Sequence, residues 1–244
     1  MPLRICILET DHIRPELVER YRGYGHMFTQ LFKRQPIAAE FEIFNVVDGR
    51  YPELGQPYDA YLVTGSKADS FGDDHWIAPL KDFLLARYAE GAKLLGICFG
   101  HQLLALTLGG KAERAHQGWG VGTHRYKVGQ PTAWMTPAAQ GLTLLISHQD
   151  QVTQLPEGAT VVASSEFCPF AAYQLNDQVL CFQGHPEFVH DYSRALLDLR
   201  QMHLGDDVYA AAMASLAHDH DGATVAEWMM RFVAAGSTKA NQSA

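Results

Sequence analysis

Short apolar runs alternate with segments of helical spacing through the first 110 residues. Residues 3–8 (LRICIL) read as a strand, since a brief unbroken apolar run suits a strand covered on both faces. From Pro15 to Arg34, the residues Leu17, Tyr21, Phe28, Leu31 and Phe32 recur at near-helical spacing. Pro15 suits the first turn of that helix. Phe41, Ile43 and Val46 mark a second strand closed by the Asp48-Gly49 turn, and YDAYLVTG carries a third from Tyr58 to Gly65. Trp76, Leu80, Phe83, Leu84 and Tyr88 restore helical spacing. The segment AKLLGICFGHQLLALTLGG then passes from a buried-strand pattern, through glycine, directly into a helical one. Such alternation predicts βαβ units and a parallel sheet, an α/β fold.

The pattern changes after Gly110. Short strands follow at Gly122–Val128, Leu142–Ser147, Thr160–Ala163, Phe170–Leu175 and Val179–Phe182, divided by Gly, Pro and Asn-Asp turns. No long helix fits between them, so this part of the sheet is expected to be antiparallel. From Glu187 to about Phe232 the chain is again helical in composition, and GSTKANQSA reads as a frayed tail. With no repeat and no linker, residues 1–235 are read as one domain and 236–244 as a flexible tail.

Composition narrows the function. The 244 residues carry 27 acidic and 19 basic side chains, a net charge of −8. That balance argues against nucleic acid or an anionic membrane surface as the main partner. No run approaches the ~20 apolar residues of a membrane helix. The start, MPLRICILETDHIRPE, lacks the apolar stretch of a signal peptide, so the expectation is a cytoplasmic protein. Cys6, Cys98, Cys168 and Cys181 form no C-x-x-C pair and are too few for a disulfide scaffold.

One cysteine stands apart. Gly96-Ile97-Cys98-Phe99-Gly100 lies where a strand turns into a helix, the cysteine form of a nucleophile elbow. The glycines leave room where strand and helix crowd. The helix N-terminus favours a thiolate, and the Phe99 N–H can stabilise an oxyanion. A lone G-x-C-x-G is more often a buried structural cysteine. Two other strand ends shift that balance. Gln183-Gly184-His185-Pro186-Glu187 supplies a base and a carboxylate. Pro186 biases His185 to extended backbone, which points residues 185 and 187 to one side. The alternative is a surface turn with Glu187 at a helix start. Thr64-Gly65-Ser66 closes another strand and offers a second oxyanion N–H.

With these motifs in order, the chain resembles the class I glutamine amidotransferases, whose glutaminase domain uses a Cys-His-Glu triad. The matching segments are GICFGHQ around Cys98, GHPEF around His185 and Glu187, SHQD at Ser147–Asp150, and the Gly65-Ser66 turn. GSKADSFGDDHWI, from Gly65 to Ile77, looks most like stand-alone proteins similar to the amidotransferase half of GMP synthase. The resemblance implies a three-layer, flavodoxin-like α/β fold: a mostly parallel central sheet, helices on both faces and an antiparallel extension. It implies hydrolysis of the side-chain amide of glutamine by Cys98, His185 and Glu187 through a γ-glutamyl thioester, releasing ammonia and glutamate, with the N–H groups of Ser66 and Phe99 as oxyanion hole. Gly65, Gln102 and the main chain of Ser147, His148 and Gln149 would bind substrate. Many members carry Gly-Gly-Pro where this chain reads Gly65-Ser66-Lys67.

No cofactor or metal is expected. The expected partner is a small molecule, glutamine or another γ-glutamyl compound, with a separate ammonia-accepting synthetase subunit as a possibility. No G-x-x-x-x-G-K-[ST] loop is present to make an acceptor domain within the chain. A γ-glutamyl peptidase with the same triad is the alternative, and a non-catalytic or redox-sensing protein a weaker one. His218-Asp219-His220 lacks metal-site spacing and reads as solvated or structural. His101 reads as a packed histidine, and Cys6, Cys168 and Cys181 as core. Gly118-Trp119-Gly120 is either a pocket wall or a turn packing its indole.

Overall fold

The computed structural model describes residues 1–53 and 55–240, with side chains to 235. Eleven strands are present among them: β1 (Leu3–Glu9), β2 (Ala39–Asn45), β3 (Ala60–Val63), β4 (Lys93–Ile97), β5 (Lys111–Arg114), β6 (Gly120–Val128), β7 (Gly141–His148), β8 (Asp150–Gln154), β9 (Ala159–Ser164), β10 (Ala172–Leu175) and β11 (Val179–Phe182). The helices are α1 (Pro15–Tyr21), α2 (Tyr24–Phe32), α3 (Ile77–Ala89), α4 (Phe99–Thr107), α5 (His190–Leu204), α6 (Asp206–Ser215) and α7 (Gly222–Ala240).

Nine strands form one sheet in the order β2-β1-β3-β4-β11-β10-β9-β6-β7. From β2 to β11 neighbours run parallel; from β11 to β7 they run antiparallel. Strands β1, β3, β4 and β11 alternate two buried faces, as helices above and below require. Ile5, Ile7, Leu62, Leu95 and Ile97 pack with Phe28 and Phe32 of α2 and with Val225, Met229 and Val233 of α7. Cys6, Leu8, Tyr61, Val63 and Leu94 pack with Leu80 and Leu84 of α3 and with Leu103 and Leu104 of α4. A third cluster seats Tyr192, Leu196 and Leu197 of α5 and Ala212 of α6 against Val121 and Leu145 of the antiparallel part.

The structure corrects several expectations. The single helix from Pro15 to Arg34 is two. Arg22, at φ 63, and the extended Gly23 break it, and the Glu9 carboxylate restarts it by accepting the Gly25 N–H at 2.7 Å. The C-terminal helical stretch is three helices, with Gly205 at φ 77 ending α5. The strand expected at Phe170–Leu175 begins at Ala172. Strands β5 and β8 pair as a separate antiparallel ribbon. Helix α7 reaches into the segment read as a tail, whose side chains lie outside the described residues.

Candidate active site

Three neighbouring parallel strands, β3, β4 and β11, end side by side: Val63 pairs with Gly96, and Ile97 with Phe182. The carboxyl edge of such strands is where open α/β sheets bind ligands. Here that edge presents Gly65-Ser66, Cys98 and His185-Pro186-Glu187.

Cys98 bridges β4 and α4 with φ 51 and ψ −99. A non-glycine residue in this region costs on the order of 1–3 kcal/mol and is held by its surroundings. Those surroundings are tight. A Cβ on Gly96 would lie 2.6 Å from the Gly100 carbonyl oxygen, and one on Gly100 would lie 2.3 Å from that of Val63. Both glycines are therefore required for α4 to turn back over the sheet. The Cys98 N–H donates to the Phe182 carbonyl at 2.9 Å and the Gly100 N–H to that of Thr64 at 3.2 Å. Phe99 opens α4, so its N–H has no acceptor within the helix.

His185 is 3% exposed and Glu187 4%. The His185 Nδ1–H donates to Glu187 Oε1 at 2.7 Å, and its ring stacks on Phe188 with centroids 3.8 Å apart. The His185 N–H donates to the Leu145 carbonyl at 2.8 Å, fixing the backbone beneath the ring. A Cβ on Gly65 would fall 2.7 Å from His185 Cε1 and 3.6 Å from Cys98 Cβ, so only glycine leaves room for the ring beside the sulfur. Burial pulls the His185 pKa down, but the Glu187 carboxylate and Cys98 outweigh it and raise it to about 10.

Cys98 opens onto a cleft of about 220 Å³ that also includes Ser66, Phe99, Gln102, Ser147, His148 and Gln149 in its wall. The residues expected at the site thus converge, with His185 and Glu187 buried behind Cys98. Their polar groups are partly committed. Gln102 Nε2 donates to the Asp150 carbonyl at 2.8 Å and to Gln183 Oε1 at 3.1 Å, which leaves Gln102 only its oxygen for a ligand. Ser66 Oγ accepts the Ala68 N–H at 3.1 Å, and the Lys67 N–H donates to Asp11 Oδ2 at 3.0 Å. These two bonds shape the loop that departs from Gly-Gly-Pro. His148 is buried, with Nδ1 3.0 Å from the Asp150 carbonyl oxygen. Burial lowers the pKa of His148 and of the fully buried His101 to about 3.

Several wall residues went unread in the sequence. Register pairs Arg114 with Asp150, and Arg114 bridges Asp150 at 2.5 Å and Asp69 at 3.0 Å. Lys67 bridges Asp11 at 2.7 Å. Arg200, from α5, donates to Ser147 Oγ and sits 5.3 Å from the Trp119 ring centroid. Of these only the Gly-Trp-Gly turn carried a signal, and Trp119 does line the cleft. Cys6, Cys168 and Cys181 are buried, free thiols whose pKa values burial pushes up, to about 12 for the latter two. Among the described residues no cluster of three or more His, Cys, Asp or Glu side chains could hold a metal ion, and no helix is long and apolar enough to cross a membrane.

Comparison with known proteins adds a family. A model of the class-I glutamine amidotransferases matches residues 76–199. Gamma-glutamyl peptidase 3 of Arabidopsis thaliana is 34% identical, over 69% of this chain and 70% of its own. The glutamine-hydrolyzing GMP synthase of Streptococcus mutans is 41% identical over 71% of this chain but 34% of its own. Among solved structures, a glutamine amidotransferase from Thermotoga maritima shares the fold at a TM-score of 0.76, with 16% identity and 96% and 99% of the two chains covered.

Proposed function

Because the chain belongs to the class-I glutamine amidotransferase family, we propose that it is a cysteine hydrolase of γ-glutamyl amide bonds, with γ-glutamyl peptides as substrates. The observation that carries this reading is the strained Cys98 beside a buried His185–Glu187 pair.

In this mechanism Glu187 holds His185 as an imidazolium, which in turn favours a thiolate at Cys98. The sulfur attacks the γ-carbonyl carbon, and the C=O electron pair moves onto oxygen, where the N–H groups of Phe99 and Ser66 receive the charge. As the oxyanion collapses, the C–N bond breaks and His185 gives its proton to the departing nitrogen. The neutral imidazole then takes a proton from water, whose oxygen attacks the thioester. Glutamate leaves, and the thiolate–imidazolium pair returns. One amide and one water thereby give one amine and one glutamate. Gly65 leaves the imidazole its place, while Gln102 and the main chain of Ser147, His148 and Gln149 hold the α-amino and α-carboxylate groups.

Relatives named gamma-glutamyl peptidases match this chain over about equal shares of both sequences, whereas the GMP synthases match over about a third of theirs. That similarity favours the peptidase reading. The second reading, glutamine hydrolysis with ammonia passed to a separate acceptor subunit, is favoured by the size of the cleft. At about 220 Å³ it lies below the ~300–1,000 Å³ typical of drug-sized ligands and suits one amino acid. The test incubates the purified chain with glutamine and with γ-glutamyl dipeptides and reads free glutamate and ammonia. Dipeptide cleavage exceeding glutamine turnover is expected. Glutamine turnover alone selects the second reading, and undiminished activity in Cys98→Ser refutes both.

A further inference from the structure

A second cavity of about 320 Å³ adjoins the Cys98 cleft, and Lys67 and Arg200 line both. It runs between α5 and the loop after β1, where Asp11, His12 and Arg14 form its wall. The cleft alone suits one amino acid; the two spaces together reach the range of ~300–1,000 Å³ that larger ligands occupy.

Charge pairing distinguishes the cations around these two adjoining spaces. Lys67 is held by Asp11 at 2.7 Å, and Arg114 by Asp150 and Asp69. Arg200 and Arg14 face no carboxylate within 4.0 Å among the described residues. Arg200 is moreover held in place: it donates to Ser147 Oγ through Nη1 and lies against the Trp119 ring. A guanidinium carries five N–H donors in a planar fork, so these contacts leave donors for a carboxylate that binds in two parallel hydrogen bonds. An oriented cation without a counterion, in a protein of net charge −8, is a place for an anionic ligand group.

We propose that this second cavity receives the leaving group of the substrate and that Arg200 binds its carboxylate, so that the preferred substrates are γ-glutamyl amino acids and peptides with a free C-terminal carboxylate. The inference rests on the γ-glutamyl hydrolase reading and assigns its specificity. Arg200 is a specificity-determining residue at the junction of the two spaces, with Trp119 positioning it.

The test separates binding from turnover by using the Cys98→Ser chain, which holds substrate without cleaving it. Calorimetry compares γ-glutamylalanine with its C-terminal amide, which is alike in every group except the carboxylate. The acid is expected to bind about tenfold more tightly than the amide, as one charge-assisted bidentate pair provides. In Cys98→Ser/Arg200→Gln the ratio is expected to fall to about one, and Arg200→Lys, which keeps the charge but not the fork, is expected to restore part of it. Equal affinity for acid and amide in Cys98→Ser overturns the proposal, as does a preference that survives Arg200→Gln. An affinity loss in Arg200→Gln that is equal for both ligands also overturns it, since that places the guanidinium at the glutamyl end. A carboxylate preference that depends on Arg200, in a chain whose parent releases no glutamate, leaves the subsite standing and refutes the hydrolase reading alone.

Discussion

His185 and His148 are buried to almost the same degree, 3% and 4% exposed, yet their ionisation is pushed in opposite directions. Burial alone acts against a charged imidazole, and at His148 it prevails, with His124 and His185 adding unfavourable charge. His185 meets the same penalty, but a carboxylate stands 2.7 Å from Nδ1, and together with Cys98 it outweighs that penalty. The partner, more than the depth, decides which histidine carries a proton. The two are parts of one site: His148 forms the neutral wall of the cleft, and His185 the charged group behind it.

Removing the carboxylate should erase the contrast. In Glu187→Gln, His185 keeps only Cys98 against the burial penalty, and its titration, followed by the imidazole resonances, should move down from about 10. Turnover should fall by on the order of 10⁴-fold, the loss seen when the orienting Asp of a Ser-His-Asp triad becomes Asn. A titration that stays at about 10 in that variant would contradict the role of Glu187. Gly65→Ala should give a smaller loss, about 10²-fold for an imidazole displaced by about 1 Å. The new methyl must occupy space 2.7 Å from Cε1. The melting temperature serves as control, and full activity there would show that the ring has another place to sit.

The smallest effects are in stability against pH, and they oppose each other. The imidazole of an unfolded chain takes a proton below about 6.5, whereas folded His148 and His101 resist until about 3. Their contribution is thus complete above about 6.5 and lost as the pH falls toward 3. For His185, raised to about 10, the contribution is complete below about 6.5 and lost as the pH rises through 10. Urea unfolding at about pH 7.5 and about pH 4.5 should show a smaller acid loss in His148→Gln than in the parent. An unchanged difference would mean that His148 does not govern that limb.

The parallel half of the fold was legible because β1, β3, β4 and β11 are mostly apolar runs, and β2 carries spaced apolar residues closed by the Asp48-Gly49 turn. Cys98, His185 and Glu187 were legible for a related reason: each lies one to five residues past such a run, where a sheet edge must present it. The rest depends on pairing across the chain. Strand β5, KAER, buries only Ala112, so no apolar pattern announces it, and its pairing with β8 is what sets Arg114 against Asp150. Arg200 is one of two arginines on a helix seated mainly by Tyr192 and leucines, and its place becomes evident only when α5 packs over β7. The restart of the helix at Tyr24 is capped by Glu9, sixteen residues before Gly25 and on another element. Local periodicity cannot report a cap supplied from a strand.

The position of β11 in the sheet has a consequence for synthesis. It inserts between β4 and β10, although more than eighty residues separate it from β4 in the chain. A polypeptide emerging from the ribosome therefore carries Cys98 well before His185 and Glu187 are made. Under the proposed mechanism the thiol meets its base only once β11 has taken its place in the middle of the sheet, and a chain cut short before residue 179 lacks both residues.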